Sequence, residues 1–143
     1  MIDDIGYDTF FKDCDEVFKD FLAGYGFEDI GGDEEDYEKF YKSKFWILEI
    51  NMLCNFPRVM PTIDFLNHKS IRTSRSILDK ALNISFENVS KHIEEYKLSN
   101  SYDTYNKQML YLRENLEKFY KPILTGEFTY EDYKKFEISE EKQ

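Results

Sequence analysis

Few of the residues that usually build catalytic and metal centres are present in this sequence. Its 143 residues include two cysteines, two histidines, three prolines and six glycines. His68 and His92 are 24 positions apart, and neither belongs to a CxxC or HxxxH pattern. No Gly-x-Ser-x-Gly motif marks a nucleophilic serine. We therefore predict no catalytic residue, no metal ligand and no cofactor, and we expect that the protein is not an enzyme.

A glycine-rich loop that would hold a phosphate group is also missing. Such a loop opens a helix, where free backbone N–H groups bind the anion. Gly24 and Gly26 instead follow a helical pattern, and Gly31-Gly32 is followed by four acids that repel phosphate. The common nucleotide-binding loops are thus excluded.

Long apolar runs are absent as well. No stretch of the chain approaches the roughly 20 apolar residues that a membrane-spanning helix needs. The first residues, Met-Ile-Asp-Asp, lack the basic start and the apolar run of a signal peptide. We expect a cytoplasmic protein, in which Cys14 and Cys54 remain free thiols that fill small apolar spaces.

Positive charge is scarce in the first quarter of the chain. Residues 1–40 hold fourteen acids and three lysines, a balance of −11, whereas residues 41–143 hold fifteen acids and sixteen bases, a balance of +1. Because Lys and Arg hold phosphate backbones and anionic lipids, we predict no binding to nucleic acid or to a membrane. The charge favours cationic partners, although an acidic balance that only keeps the protein in solution explains it equally well.

Apolar residues are abundant enough for one domain over residues 1–143. They make up 41% of the chain, and its length is close to the commonest domain size. In residues 7–25 they recur every three or four positions, which predicts an N-terminal helix. Asp4 or Asp8 can cap its start, and Gly24 or Gly26 can end it. The acids after Gly31-Gly32 predict an acidic loop over residues 31–38.

The periodicity changes from helical to alternating after Tyr37. Alternation of apolar and polar residues predicts strands over residues 37–42, 46–52 and 59–65. The last of them should lie at a sheet edge or contain a bulge, because Pro61 cannot donate a backbone hydrogen bond. Strands that follow one another in sequence so closely predict an antiparallel meander.

Helical patterns return after Ser70. We predict helices capped by Ser70, Ser85 and Thr129, and a long helix that kinks or ends at Pro122. Residues 139–143 are expected to form a frayed tail. The predicted fold class is therefore α+β, with an N-terminal helix, a three-stranded antiparallel meander and a C-terminal region of three to four helices.

Single side chains in these helices make the prediction more specific. The helix after Ser70 would carry Arg72 and Arg75 on a basic face, and the helix after Ser85 would direct Phe86 inward. Tyr111 falls about 120° away from the apolar stripe of the long helix on a helical wheel. Exposed tyrosines are favoured contacts at protein interfaces, whereas a tyrosine at the boundary of the core is the more ordinary interpretation.

Glu49 and Asp64 form a carboxylate pair on the predicted sheet. Both fall on the more polar side of their strands, so pairing of these strands would let them share a proton or bind a divalent cation. Nucleases of the PD-(D/E)xK type place acids in this way, but here Ile50-Asn51 follows Glu49 and the lysine of that pattern is missing. A partly solvated sheet face explains the same residues. A small metal-dependent enzyme that uses this pair is kept as a rival interpretation.

The order of the elements resembles that of small acidic immunity proteins from bacterial polymorphic and contact-dependent toxin systems. The likeness is carried by Phe18-Lys19-Asp20-Phe21-Leu22 through Gly26-Phe27, by Trp46 to Asn51, and by Pro61 to Phe65. The resemblance implies a protein that binds and neutralises a cognate toxin domain. It includes no diagnostic motif, so no site residue follows from it.

Charge indicates which residues would contact such a toxin. A toxin nuclease tends to be basic because it must hold a phosphate backbone, and an acidic protein is then steered onto it. The predicted contacts are Asp33, Glu34, Glu35, Asp36 and Glu38, followed by the helix acids Asp13, Glu16 and Asp20. A secretion chaperone is a second rival because it is also small and acidic. Such a chaperone usually dimerises, whereas we favour a monomer here.

Overall fold

The computed structural model describes residues 9–55, 58–100 and 105–142, except for the side chains of residues 53–55 and 58–60. In this part of the chain, six helices accompany one antiparallel sheet of four strands, an α+β fold. The strands lie side by side in their chain order: β1 Glu28–Asp33, β2 Glu38–Lys42, β3 Ile47–Asn55 and β4 Arg58–Leu66. The α+β class is thus confirmed, while the predicted three-stranded meander lacks one strand and the described part of the C-terminal region has five helices instead of the predicted three to four.

Helix α1 spans residues 10–23 and directs the predicted apolar stripe into the core. The chain runs through three segments, of which the middle one is π-helical: Phe10–Cys14, Asp15–Lys19 and Asp20–Ala23. Four side chains at steps of four are at most 2% exposed: Phe10, Cys14, Phe18 and Leu22. In an α-helix, which has about 3.6 residues per turn, a residue four positions further along points in a direction rotated slightly past that of the first. The wider turn of the π-helical segment rotates the direction back. The four residues therefore share one buried line.

Glycines end helix α1 as predicted. Gly24 is the residue that follows the last helical residue, and Gly26 has a φ angle of +86°, which favours glycine. The predicted caps Asp4 and Asp8 lie outside the described residues.

Strand β1 is missing from the sequence-based prediction because its residues have little β propensity. A Cβ atom on Gly32 would lie 2.0 Å from the carbonyl oxygen of Glu38, so this position requires glycine for the close approach of β1 to β2. The pairing of the two strands is irregular between Asp29 and Gly32. Of the predicted acidic loop 31–38, only residues 34–37 connect strands. The glycines that indicate a loop are thus part of a bulged edge strand.

The sheet buries one face in the core and leaves the other partly open. The buried face contributes alternate residues to the shared core: Tyr41, Leu48, Ile50, Met52, Ile63 and Phe65. The opposite face, here called the open face, carries Glu38, Phe40, Glu49, Asn51, Thr62 and Asp64. The alternation predicted for β3 is confirmed. Strand β4 is last in the sheet order, so Pro61 lies on an edge strand, as expected.

In the described part of the chain, five helices follow the sheet: α2 Arg75–Ala81, α3 Phe86–Asn100, α4 Tyr105–Phe119, α5 Lys121–Thr125 and α6 Tyr130–Glu141. Thr129 forms the predicted capping box with Asp132, since each side chain accepts a hydrogen bond from the other residue's backbone N–H. Helix α4 ends before Pro122, which lies in the first turn of α5. None of the helices formed by the described residues has the length and apolar character needed to cross a membrane.

The start of α2 and the end of α6 differ from the prediction. Ser74, and not Ser70, is the N-cap of α2, so Arg72 lies outside the helix. Arg72 instead forms an isolated β-bridge with Leu66. Helix α6 continues to Glu141, so residues 139–141 of the expected frayed tail form the end of this helix.

Two aromatic residues lie where the helical pattern does not place them. Phe86 is 84% exposed, although the pattern directs it inward. Tyr111 is only 5% exposed, because helix α3 covers it. Its ring centre lies 5.1 Å from that of His92 and 5.4 Å from that of Tyr96. A helical wheel locates the stripe that faces the sheet, but it does not show a second helix that packs on another side.

Candidate functional site

The acids with the strongest predicted role surround the tip of the β1–β2 hairpin. Asp33 ends β1, Glu38 begins β2, and Glu34, Glu35 and Asp36 lie in the connecting turn. Asp33 Oδ1 accepts hydrogen bonds from the backbone N–H groups of Glu35, at 3.0 Å, and of Asp36, at 3.3 Å. The charge of Asp33 also raises the pKa of Asp36. The turn is therefore ordered by one of its own acids and carries closely spaced negative charge.

Most of this charge is not balanced by a neighbouring cation. Among the described residues, no lysine or arginine forms an ion pair with Asp33, Glu34, Glu35 or Asp36, and all four are exposed. Glu38 is half-buried, and its Oε2 lies 3.7 Å from a guanidinium nitrogen of Arg72. The hairpin tip therefore presents free carboxylates to solvent.

Helix α1 contributes a second group of acids beside the hairpin. Glu16 and Asp20 are exposed, while Asp13 is half-buried and accepts a hydrogen bond of 2.7 Å from the hydroxyl of Thr9. Asp15 was not predicted as a contact, and it turns toward the sheet, where it accepts a hydrogen bond of 3.0 Å from the hydroxyl of Tyr41. Asp15 thus serves the packing of α1 against β2.

Lys39 joins the helix to both strands of the hairpin and is missing from the predicted site. Its residue is only 4% exposed, and its Nζ lies 2.8 Å from Asp29 Oδ1 and 3.4 Å from Asp15 Oδ1. Burial lowers the pKa of the ammonium, but the hydrogen bond to Asp29 and the charge of Asp15 outweigh this effect and raise it. Lys39 precedes Tyr41 by two positions, so both side chains lie on the buried face of β2. This spacing is the sequence signal that reveals the position of Lys39.

We expect Lys39→Met to lower the free energy of unfolding by about 1–2 kcal/mol at neutral pH, because two partly buried carboxylates lose their cation. Asp29 has a lowered pKa, since the hydrogen bonds from Lys39 and from the Gly31 N–H outweigh its burial. Its contribution is present above the pKa of the unfolded state and is lost as pH falls through the folded pKa. Urea denaturation at several pH values should therefore show a difference between variant and wild type that shrinks below about pH 4. A difference that stays constant with pH would contradict this role of the ion pairs.

The predicted carboxylate pair on the open face is present, but it already holds a cation. Glu49 and Asp64 are direct partners in the register of β3 and β4. The guanidinium of Arg72 donates to Glu49, with NH2 at 2.8 Å from Oε1 and 3.0 Å from Oε2, and with Nε at 3.2 Å from Oε1. Its Nε lies 3.5 Å from Asp64 Oδ2. Arg72 therefore occupies the position between the acids that a divalent cation would take.

The environment of Glu49 also indicates that the pair has a structural role. Glu49 is 0% exposed, and burial together with the neighbouring Glu38 carboxyl raises its pKa, while Arg72 opposes that rise. Asp64 also accepts a hydrogen bond of 3.1 Å from the side-chain amide of Asn51. Within the described residues, no group of three or more His, Cys, Asp or Glu side chains is arranged to hold a metal ion. The pair is part of a structural network that fastens the segment after β4 to the sheet.

Comparison of the chain with models of known protein families finds no match, and no curated protein or solved structure matches it. The functional interpretation is therefore built on the geometry and the charge of this chain alone.

Proposed function

We propose that this protein is an immunity protein, which binds and neutralises a cognate, basic toxin domain such as a nuclease. The observation that carries the proposal is the hairpin tip, where Asp33, Glu34, Glu35 and Asp36 are exposed and have no ion-pair partner among the described residues. Closely spaced like charges oppose the folded state unless a partner compensates them. A cationic surface is such a partner.

The order of the hairpin turn supports binding rather than simple solvation. The two hydrogen bonds that Asp33 accepts hold the acids in one arrangement before any partner arrives. Groups that are already in place lose less conformational entropy on binding than groups on a free loop. Residues 10–42 together carry eleven acids and four lysines, so a negative field surrounds the tip and would steer a basic partner toward it.

The proposal is tested by capture of the partner and by inhibition. The tagged protein is used to capture proteins from its native lysate, with washes at low and then at high salt. We expect one stoichiometric basic partner whose toxic activity, for instance nuclease activity, is suppressed when this protein is added. A captured partner that is acidic, or one whose activity is unchanged by this protein, would refute the proposal.

We expect the triple substitution Glu34→Gln, Glu35→Gln, Asp36→Asn to slow association with the partner about three- to tenfold at low salt, because the steering field weakens. Asp33 is kept, so that the turn retains its hydrogen bonds. Stopped-flow association rates at several salt concentrations measure the effect, and the salt dependence should also become smaller.

A matched control separates local charge from net charge. Glu87→Gln, Glu127→Gln and Glu141→Gln remove the same number of charges at other exposed positions, away from the hairpin. This control should leave the association rate close to that of the wild type. If both triple variants slowed association equally, only the net charge would matter, and the hairpin tip would not be the contact surface.

The two rival functions have their own tests. A secretion chaperone usually dimerises, so a mass measurement that gives a dimer would favour it over the immunity protein. A metal-dependent enzyme that uses Glu49 and Asp64 requires Arg72 to leave its position between them. Calorimetry with Mg²⁺ or Mn²⁺ would support this rival if heat of binding appeared in the millimolar range.

A further inference from the structure

A cavity lies between strand β4 and helices α3 and α4, on the opposite side of the sheet from the open face. Its volume is about 210 Å³, and its walls are mainly apolar: Pro61, Ile63, Phe65, Ile93, Leu112 and Leu116. Protein interiors are close-packed, with few voids larger than a water molecule. Space of this size is smaller than the roughly 300–1,000 Å³ of most ligand pockets, but it is large enough for a molecule of about one aromatic ring.

Arg75 brings a positive charge to the wall of this cavity. Its guanidinium lies over the rings of Phe65 and Tyr120, at 5.2 Å and 5.3 Å from their centres. It donates to the backbone carbonyl of Ile63 and, at 3.4 Å, to the hydroxyl of Tyr120. These two bonds use two of its five N–H groups. Among the described residues, no carboxylate forms an ion pair with Arg75.

The nearest acid reaches Arg75 only through the tyrosine. The hydroxyl of Tyr120 donates a hydrogen bond of 2.7 Å to Asp79 Oδ1. Asp79 lines a neighbouring cavity of about 440 Å³, which shares Arg75, Asn115 and Tyr120 with the first one. Arg75 therefore stands at the junction of two cavities, with its charge only indirectly balanced.

Two amide side chains belong to the cavity wall. They are Gln108 and Asn115, and their carbonyl oxygens Oε1 and Oδ1 are buried. The amide oxygens only accept hydrogen bonds and would repel an anion, whereas the NH2 groups of the same side chains donate. The two amides therefore favour an anion only through their NH2 groups. Both amides lie on helix α4, on the side that faces the cavity.

Helix α3 covers the cavity without packing closely over it. Only His92 and Tyr96 of its fifteen residues are buried, and Ile93 is the residue that it contributes to the cavity wall.

We propose that this cavity binds a small monocarboxylate whose apolar body has the size of one aromatic ring. The carboxylate pairs with the free N–H groups of Arg75, and the NH2 groups of Gln108 and Asn115, which are donors, supply further hydrogen bonds. The ring lies between Ile93 of α3 and Leu112 of α4. The overall charge of −10 opposes anions only weakly, because salt screens distant charges over about 8 Å at physiological ionic strength. This site is independent of the acidic hairpin and of the function proposed above.

The test compares 4-methylbenzoate with 4-methylbenzamide, which has the same shape but no charge. Methyl-detected NMR titrations of the full-length protein give both affinities and locate the contact at Ile63, Ile93 and Leu112. We expect the acid to bind about tenfold or more tightly than the amide, as is typical for a hydrogen-bonded charge. Arg75→Gln should abolish this preference, and Arg75→Lys should restore part of it. Lys91→Gln is the matched control, since Lys91 is an exposed cation on α3 that lines neither cavity, and it should keep the preference.

Several results would overturn the proposal. Equal affinity for the acid and the amide would indicate an apolar cavity without selectivity for anions. Absence of shifts at about 10 mM of either compound, a concentration at which even weak ligands bind, would mean that the cavity holds only water. Shifts at a methyl group outside both cavities, such as Ile30 in the hairpin, instead of the cavity methyl groups would place the anion elsewhere. The comparison of the two compounds on the wild type remains decisive even if Arg75→Gln does not fold.

Discussion

Replacement of Arg72 by methionine is expected to lower the free energy of unfolding by about 3 kcal/mol at neutral pH, because it leaves a buried carboxylate without its cation. Glu49 is 0% exposed, and both of its oxygens accept hydrogen bonds from the guanidinium. The side chain of Arg72 is itself 56% exposed, so the penalty comes from Glu49 rather than from lost packing. Urea denaturation measures the change, provided that the slope of unfolding free energy against urea concentration is the same for the variant and the wild type.

The pH dependence of this defect identifies its cause. Burial and the Glu38 carboxyl raise the pKa of Glu49 even in the wild type, and removal of Arg72 raises it further. A carboxyl group whose pKa is raised in the folded state destabilises that state at high pH. The penalty develops as pH rises from the pKa of the unfolded state to that of the folded state, and it is absent below the pKa of the unfolded state. The Arg72→Met defect should therefore shrink as pH falls from 7 toward about 4.

Two further variants serve as controls for Arg72→Met. The double variant Arg72→Met, Glu49→Met removes both charges, and it should recover most of the lost stability. Lys69→Met removes an exposed cation that forms no ion pair among the described residues, and it should change stability by less than about 0.5 kcal/mol. If Arg72→Met had no larger effect than Lys69→Met, the network on the open face would not stabilise the fold.

Replacement of Trp46 by alanine is expected to cost about 4 kcal/mol of stability, since it empties a large space in the core. Trp46 is 0% exposed and precedes β3. Its ring stacks on Phe128 with centres 6.5 Å apart, and it meets Tyr130 edge-on at 5.8 Å. Its Nε1–H donates a hydrogen bond of 2.8 Å to the carbonyl oxygen of Phe128. Trp46 therefore attaches the segment between α5 and α6 to the sheet.

The variant Trp46→Phe separates the hydrogen bond from the packing. It keeps an aromatic ring but loses the donor and part of the volume, so we expect a loss of about 1–2 kcal/mol. Because Trp46 is the sole tryptophan, unfolding of both variants is followed by circular dichroism rather than by fluorescence. Equal losses for Ala and Phe would mean that the hydrogen bond, and not the ring, accounts for the effect.

Local patterns in the sequence were sufficient for the elements whose stability depends on near neighbours. The stripe of Phe10, Cys14, Phe18 and Leu22, the alternation in β3 and the capping box at Thr129 are each confirmed. Periodicity states which side chains share a face, and a cap is formed within one helical turn. The strand patterns likewise assigned Glu49 and Asp64 to the more polar sides of their strands, and the register of β3 with β4 makes them direct partners.

The candidate site was predictable only where it depends on composition. The acids of the hairpin tip are adjacent in sequence, so their charge is apparent without any fold. The hydrogen bonds of Asp33 that order the turn are also local, since they reach residues two and three positions away. The burial of Lys39 between Asp15 and Asp29 joins residues that only the folded chain brings together. Whether the acids bind a toxin domain stays a prediction.

The sequence by itself determined the α+β class, the faces of α1 and β3, and the concentration of negative charge in the first quarter of the chain. Each of these follows from residues that are close along the chain. Only the tertiary structure shows that Arg72 lies before the basic helix and pairs with Glu49, 23 positions away. It also shows that β1 is a strand because it pairs with β2. It also decided that α3 covers Tyr111 and the cavity beside Arg75. Long-range contacts set these features, because a buried charge or an unpaired strand is stable only beside its partner.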